Sequence, residues 1–289
     1  MKLVITGTSG QLGRRAAELV LAAAAPEDVV LTTRTPETLA SFAARGAAVR
    51  YANFAEPLSL RTAFAGGERL LLVSATDLQN RVAQHQAAID AAKEAGIRHV
   101  VYTSGLKPAP PNPAVVAPSH YATEHALAHS GLTWTVLRNS LYADYQLPEA
   151  QRALETGVLV HNRGNGKVAY VAREDCAAAA AAVLLQSGHD RAVYEITGGE
   201  SFSADDLAAL YTKLGGRAVA ARALDDAAFV ATIVGSATGD DHLRYGAELV
   251  ASFGRSIRES YMDSCTDDVA KLTGRAPLPL REILAPLRR

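Results

Sequence analysis

From Lys2 to Asn139, short apolar and β-branched runs alternate with longer stretches whose apolar positions recur at helical spacing. Six runs predict strands: KLVIT, DVVLTT, AAVRYA, RLLLVSA, HVVYTS and WTVLRN. Between them, helices are predicted from near Gln11, Pro36, Leu58, Gln79 and Ser119, with Gly96 and Gly131 as stops, since glycine accepts the backbone that closes a helix. After the fifth strand comes LKPAPPNPAVVAPSH. Its five prolines predict a long, semi-stiff loop rather than a helix. The repeat of strand, helix and parallel strand is that of an α/β fold, a Rossmann-type doubly wound parallel sheet with helices on both faces. In such a sheet, loops at the carboxyl ends of the strands border the ligand crevice.

Past Asp144 the alternation breaks. A helix over 147–156, a strand KVAYVA, an alanine-rich helix from Arg173 and a strand AVYEIT are predicted, and the rest reads as mostly helical. Ser203 and Asp206 have capping-box spacing, which makes Ser203 the N-cap of a helix running to Leu214. The expected division is a sheet domain over 1–145, joined by a late strand near 192–198, and a smaller, mainly helical lobe over 146–289.

Composition narrows the function classes. The chain of 289 residues carries 29 Lys and Arg against 30 Asp and Glu, so neither a nucleic-acid face nor an acidic tail is expected. Cys176 and Cys265 stand apart without metal-ligand spacing, which predicts no disulfide framework, no metal site and a reducing, cytoplasmic setting. The apolar run over 176–185 is shorter than the ~18 residues a membrane span needs. Met1 and Lys2 lead directly into the first strand, so no signal peptide is expected.

Candidate chemistry begins at VITGTSGQLG. Gly7, Gly10 and Gly13 follow a strand and open a helix, the setting required of a dinucleotide fingerprint. Gly7 suits the sharp turn, Gly10 a close approach of pyrophosphate to bare N–H groups, and Gly13 tight packing of helix on strand. Thr8, Ser9, Gln11 and Leu12 complete the expected cradle. At the end of the second strand, where an acid would hold the ribose 2′-hydroxyl, stands Arg34. Its planar, permanent charge suits a 2′-phosphate, which makes NADPH the expected cofactor and NADH the weaker alternative, with Thr33 and Thr35 as helpers. Phe54, after the third strand, is expected on the adenine side of the cleft.

Ser104 lies where a short-chain dehydrogenase carries its active-site serine, yet no Tyr-x-x-x-Lys follows. SHYATEH offers two registers instead, Tyr121 with His125 or His120 with Glu124. A lysine's charge lowers the tyrosine pKa for proton transfer, and neither histidine nor glutamate replaces that effect well at neutral pH. Alcohol oxidation through a phenolate is therefore not expected. A sugar-nucleotide epimerase would need the same pair, plus diphosphate-binding arginines for which Arg244, Arg255 and Arg258 are candidates, although a solvated helix face explains these more simply.

The pieces ITGTSGQLG, LTTR, LLLVS, AAKEAGIRHVVYTS, the His120 to Glu124 stretch, LRNSLYADY and VAREDCAAAAAAVL resemble the NmrA-like atypical short-chain dehydrogenases. The similar group holds type 2 NAD(P)H:quinone oxidoreductase, triphenylmethane reductase and flavin-free azoreductase. That resemblance supports the second register. It implies direct hydride transfer from NADPH, without flavin or metal, to a small, flat aromatic acceptor: an azo dye, a quinone or a triphenylmethane dye. Such acceptors carry their own electron sink, so catalysis rests mainly on placement. By position, the resemblance puts Ser74 and Ala75 on the cofactor cleft, and Thr103 with Ser104 near the nicotinamide ribose. Asn139 and Tyr142 would face the crevice, Tyr142 stacking on the acceptor or donating its hydroxyl. His120 would act as weak proton donor or acceptor-positioning group. The other function class is a sensor that binds NADP without turnover. Nothing in the sequence sets the oligomeric state, and a homodimer is left open.

Overall fold

The structure, a computed structural model, describes residues 1–235 and 240–287. Seven parallel strands form the central sheet: β1 (Leu3–Ile5), β2 (Val29–Thr33), β3 (Ala48–Tyr51), β4 (Arg69–Leu72), β5 (His99–Gly105), β6 (Thr133–Asn139) and β8 (Ala192–Ile196). Their order is β3-β2-β1-β4-β5-β6-β8, so the chain reverses direction across the sheet between β1 and β4. That reversal opens a crevice at the carboxyl ends, where ligands of such sheets bind. All six predicted strands of the first half are present, and AVYEIT pairs with β6 in register Thr135 to Ala192.

Alternation along each strand builds two cores. Leu3 and Ile5 point to one face with Leu31, Leu71, Val101, Leu137 and Ile196; Val4 points to the other with Val30, Leu70, Leu72, Val100 and Val136. The first face is covered by α1 (Gln11–Ala23) and α7 (Arg173–Leu185) and the second by α3 (Pro57–Phe64), α4 (Arg81–Glu94) and α5 (Ala117–His129), with the short α2 (Ala40–Ala43) beside the first. The alanine run of α7 is buried against Ala16 and Ala17 of α1, since small side chains let two helices and a sheet close on one another.

A third core gathers α6 (Gln146–Thr156), α8 (Ala204–Gly215) and the segment 168–170 with the chain's last turns, α12 (Leu280–Ile283) included. Ser203 caps α8 as expected, its hydroxyl accepting from Asp206 N–H and the Asp206 carboxylate accepting from Ser203 N–H. Between α8 and α12 in sequence come α9 (Asp226–Val234), α10 (Asp241–Arg258) and α11 (Asp268–Thr273), the last with Val269 and Leu272 in the first core.

Two expectations need correction. KVAYVA is not a strand: Val168 bridges Phe202 and Val171 bridges Tyr142, so the segment changes partner midway and is buried as a connecting thread. A two-stranded parallel sheet, β7 (Val158–His161) with β9 (Ala220–Ala223), stands in the half that reads as mostly helical. AARA carries no intrinsic strand preference, and its pairing partner sets its conformation.

Candidate active site

The crevice has two ends. At one, β1 runs into the glycine turn. Gly7 takes φ +64°, and a Cβ on Gly13 would sit 2.3 Å from Gly7 O. The turn therefore tolerates no side chain at Gly13. Gly10 is the N-cap of α1 and offers no capping side chain. Arg14 N–H is the first to reach an intrahelical carbonyl (Gly10 O, 2.9 Å), so the N–H groups of Gln11, Leu12 and Gly13 have no intrahelical partner. Ser9, Gly10 and Gln11 are exposed, whereas Leu12 is buried in the core and offers only its backbone. Thr8 is fully buried with its hydroxyl committed to Thr32 O (2.9 Å), so it stitches the turn to β2.

Arg34 is exposed at the end of β2, next to Thr35, whose N–H donates to Thr33 Oγ1 (3.1 Å). Arg14, which sequence reading missed, reaches the same corner. Its Nη2 donates to Thr38 O (3.1 Å) and its guanidinium lies 5.4 Å from the Phe42 ring centroid. Neither arginine has a carboxylate within 4.0 Å among the described residues. The signal was present: Arg14 directly follows Gly13 in the first turn of α1.

At the other end, the carboxyl ends of β4, β5 and β6 open into a cavity of about 630 Å³, a size that suits a drug-sized ligand. Ser74, Ser104, Asn139 and Ser140 line its sheet side, Arg81 and His120 its helix side, and Leu249, Phe253 and Ile257 of α10 the facing wall. Buried Asn139 Oδ1 and Ser140 Oγ have no hydrogen-bond partner among the described residues, a costly state unless something else satisfies them. Tyr142 also lines the cavity. Arg173 covers its ring at 5.0 Å, and burial pushes its phenol well above the usual range, so it stays protonated at neutral pH.

Behind this lining, a polar network can be read atom by atom. Ala75 N–H donates to His85 Nε2 (2.9 Å), which leaves the ring proton on Nδ1, facing Thr123 Oγ1 (2.9 Å). Arg81 Nη1 donates to His120 Nε2 (3.4 Å), so the His120 proton sits on Nδ1 and points to the Tyr102 hydroxyl (2.8 Å). Burial first, then the charge of Arg81, holds both imidazoles at a pKa of about 3. Both are neutral at pH 7. Thr103 accepts from Ser74 N–H (3.0 Å) and Phe54 meets His85 edge-on at 6.3 Å. Ser104 donates to Glu124 Oε1 (2.7 Å), and Arg138 holds Glu124 through Nε (3.0 Å) and Nη2 (2.7 Å). Of the two registers, His120 with Glu124 joins this network. Tyr121 and His125 pack on each other at 4.3 Å, with His125 exposed.

The histidines give a stability signature. Between pH ~6.5, where an unfolded histidine titrates, and about 3, the unfolded chain binds protons that native His85 and His120 refuse. Their contribution is complete above that window and lost on descending through it, at ~1.4 kcal/mol per pH unit for each ring. Denaturant melts from pH 7 to 4.5 check this: midpoints should fall steadily and fall less for His85→Gln, whose amide takes no proton.

Further residues lie elsewhere. His242 is exposed on α10, and the cavity is met instead by later turns of that helix. Arg255 and Arg258 pair with Asp226 (3.5 and 3.1 Å), which accounts for them without a diphosphate. Among the described residues, no helix is long and apolar enough to cross a membrane and no group of His, Cys, Asp or Glu has the arrangement of a metal site.

Comparison with known proteins agrees with this geometry. Residues 7–187 match the model of a family described as NAD(P)H-binding. Quinone oxidoreductase 2 of Escherichia coli is 36% identical over 99% of this chain and 98% of its own. The crystal structure of an NADPH-dependent quinone oxidoreductase from E. coli, complexed with NADPH, superposes with a TM-score of 0.93 at 34% identity, covering 99% of both chains. That of Citrobacter sp. triphenylmethane reductase with NADP(H) gives 0.90 at 30% identity, covering 99% of this chain and 100% of the other. A glycine turn shaped for a dinucleotide, a family match across more than half the length and relatives along nearly all of it lead to one statement: the chain belongs to the NAD(P)H-binding family.

Proposed function

We propose that this protein is an NADPH-dependent reductase that delivers hydride, without flavin or metal, to a small aromatic acceptor of the quinone or dye type. One observation carries the reading: the glycine turn and a cavity with two buried polar groups left unsatisfied among the described residues share the carboxyl edge of one sheet, and the two relatives reported above are named as a quinone oxidoreductase and a triphenylmethane reductase. Bound across that edge, NADPH would supply two electrons and one hydrogen nucleus as hydride.

The residues divide the work. Gly7, Ser9, Gly10, Gln11, the Leu12 N–H and Gly13 would hold the pyrophosphate, while Arg34 and Arg14 would hold the 2′-phosphate. Thr8 and Thr103 shape the cleft through the bonds given above, and Ala75 and Phe54 do so through His85. Ser74 and Ser104 would flank the nicotinamide ribose. Asn139 and Ser140 would satisfy their free oxygens on the nicotinamide amide or the acceptor, and Tyr142 would stack on the acceptor. His120, neutral with both nitrogens engaged, is a positioning residue, and the proton that completes the product comes from water.

The test follows NADPH and NADH oxidation by the purified protein against a quinone, an azo dye and a triphenylmethane dye. NADPH loss matched one-to-one by quinone loss is expected, with NADH slower. Tight NADPH binding without turnover of any acceptor would replace the reductase with the sensor. An azo dye would consume two equivalents of NADPH on the way to two amines.

A further inference from the structure

Arg81 is a buried cation to which the proposed function assigns no role. The residue is only 6% exposed. Its Nε donates to Ala75 O (2.7 Å), and its Nη1 is shared between Ser119 Oγ (3.3 Å) and His120 Nε2 (3.4 Å). All three partners are neutral. Nη2 has no hydrogen-bond partner among the described residues, and the side chain lines the cavity. No carboxylate lies within 4.0 Å of it among those residues. Asp77 acts on it from a distance but is exposed and spends its oxygens on Asn80 and Gln84. Arg163, lining the same cavity, shows the ordinary arrangement, gripped by both oxygens of Glu149 at 2.6 and 2.8 Å. A guanidinium does not shed its proton in a protein, so Arg81 carries a desolvated charge with no paired carboxylate among the described residues.

We propose that Arg81 is the acceptor anchor: it binds an anionic oxygen on a flat aromatic acceptor, and so selects quinones and anionic aromatics over cationic triarylmethane dyes. This rests on the reductase reading. A quinone that takes up hydride becomes the hydroquinone monoanion, and one proton from water completes the hydroquinone. The charge thus appears on oxygen during the transfer, and a fixed cation in a largely apolar cavity stabilises it where it develops. A cationic dye loses its charge in the same step and gains nothing from Arg81; its entry is opposed by like charge.

The test compares binding of a hydroxynaphthoquinone anion with that of its neutral methoxy ether by equilibrium titration, in wild type, Arg81→Lys and Arg81→Met. Wild type should prefer the anion by about 10-fold or more, the size of one charge-assisted hydrogen bond. Arg81→Lys should keep part of that preference and Arg81→Met should lose it. In turnover, Arg81→Met should lower kcat/KM for a quinone by about 10² and raise it for a cationic triphenylmethane dye. Equal wild-type affinity for anion and ether overturns the proposal, as does an unchanged ratio in a folded Arg81→Met. Should that variant not fold, the wild-type ratio and the lysine variant decide. Anion preference without turnover of any acceptor would remove the reductase reading and leave the anchor standing; turnover of quinone without anion preference would remove the anchor alone.

Discussion

Gly13→Ala is expected to weaken NADPH binding by at least about 100-fold and to lower the melting temperature by several degrees. The added Cβ would lie 2.3 Å from Gly7 O, 2.7 Å from Gly7 C and 2.9 Å from Thr6 O, all backbone atoms that no rotamer change can move aside. Helix α1 must shift away from β1, at the ~1–3 kcal/mol typical of overpacking, or a few degrees of melting temperature in a domain of this size. The same shift carries the first-turn N–H groups off the phosphate. Two charge-assisted hydrogen bonds lost at ~1.5–3 kcal/mol each account for the affinity change. Gly10→Ala separates the two effects: its Cβ would lie 3.3 Å from Gly7 O, a tight but tolerable approach, so its melting temperature should stay near wild type while binding weakens. Fluorescence titration with NADPH and thermal melts on the three proteins check this. A Gly13→Ala protein that binds NADPH within threefold of wild type would contradict the cradle.

Arg34→Glu is expected to reverse the cofactor preference. Exposed at the end of β2 with no carboxylate within 4.0 Å among the described residues, Arg34 keeps its fork for a phosphate. Removing a charge-assisted pair costs ~1.5–3 kcal/mol, and placing a carboxylate against a 2′-phosphate adds repulsion, so kcat/KM for NADPH should fall by about 10²–10³. NADH lacks that phosphate. Its kcat/KM should stay within about threefold or rise, since a carboxylate suits a ribose hydroxyl. Arg14→Gln should weaken NADPH alone by about 10-fold and combine with Arg34→Glu less than additively, because both would meet one phosphate. Equal losses for NADPH and NADH would place the 2′-phosphate elsewhere.

The sheet was legible because each strand of the first half is a short run of apolar or β-branched residues fenced by glycine, proline or a helical pattern, and because buried parallel strands need little else. The glycine turn was legible because only glycine satisfies Gly7 and Gly13, so identity and geometry carry the same information. The lobe was not. Its strands β7 and β9 hold each other in place, and the thread over 167–172 reads as a strand by composition but changes partner halfway. The site divided in the same way. Asn139, Ser104, His120 and Tyr142 stand at ends of elements that the alternation marks, and all four line the cavity. Arg81 escaped notice because nothing in LQNRVAQH distinguishes a buried arginine from a solvated one. That difference lies in Ala75, Ser119 and His120, the last two on another helix. His85 and Tyr102 were missed for the same reason, since a buried polar network is a property of facing surfaces rather than of any one stretch.

The most direct test of hydride passing straight from cofactor to acceptor is rapid mixing of the purified protein, charged with one equivalent of NADPH, against excess quinone, with full spectra recorded through the single turnover. With direct transfer, NADPH and quinone should disappear together, in equal amounts and with one rate constant, and no flavin absorbance should be seen at any time. A flavin band that bleaches and recovers, or NADPH loss that precedes quinone loss, would contradict direct transfer and require a carrier between them.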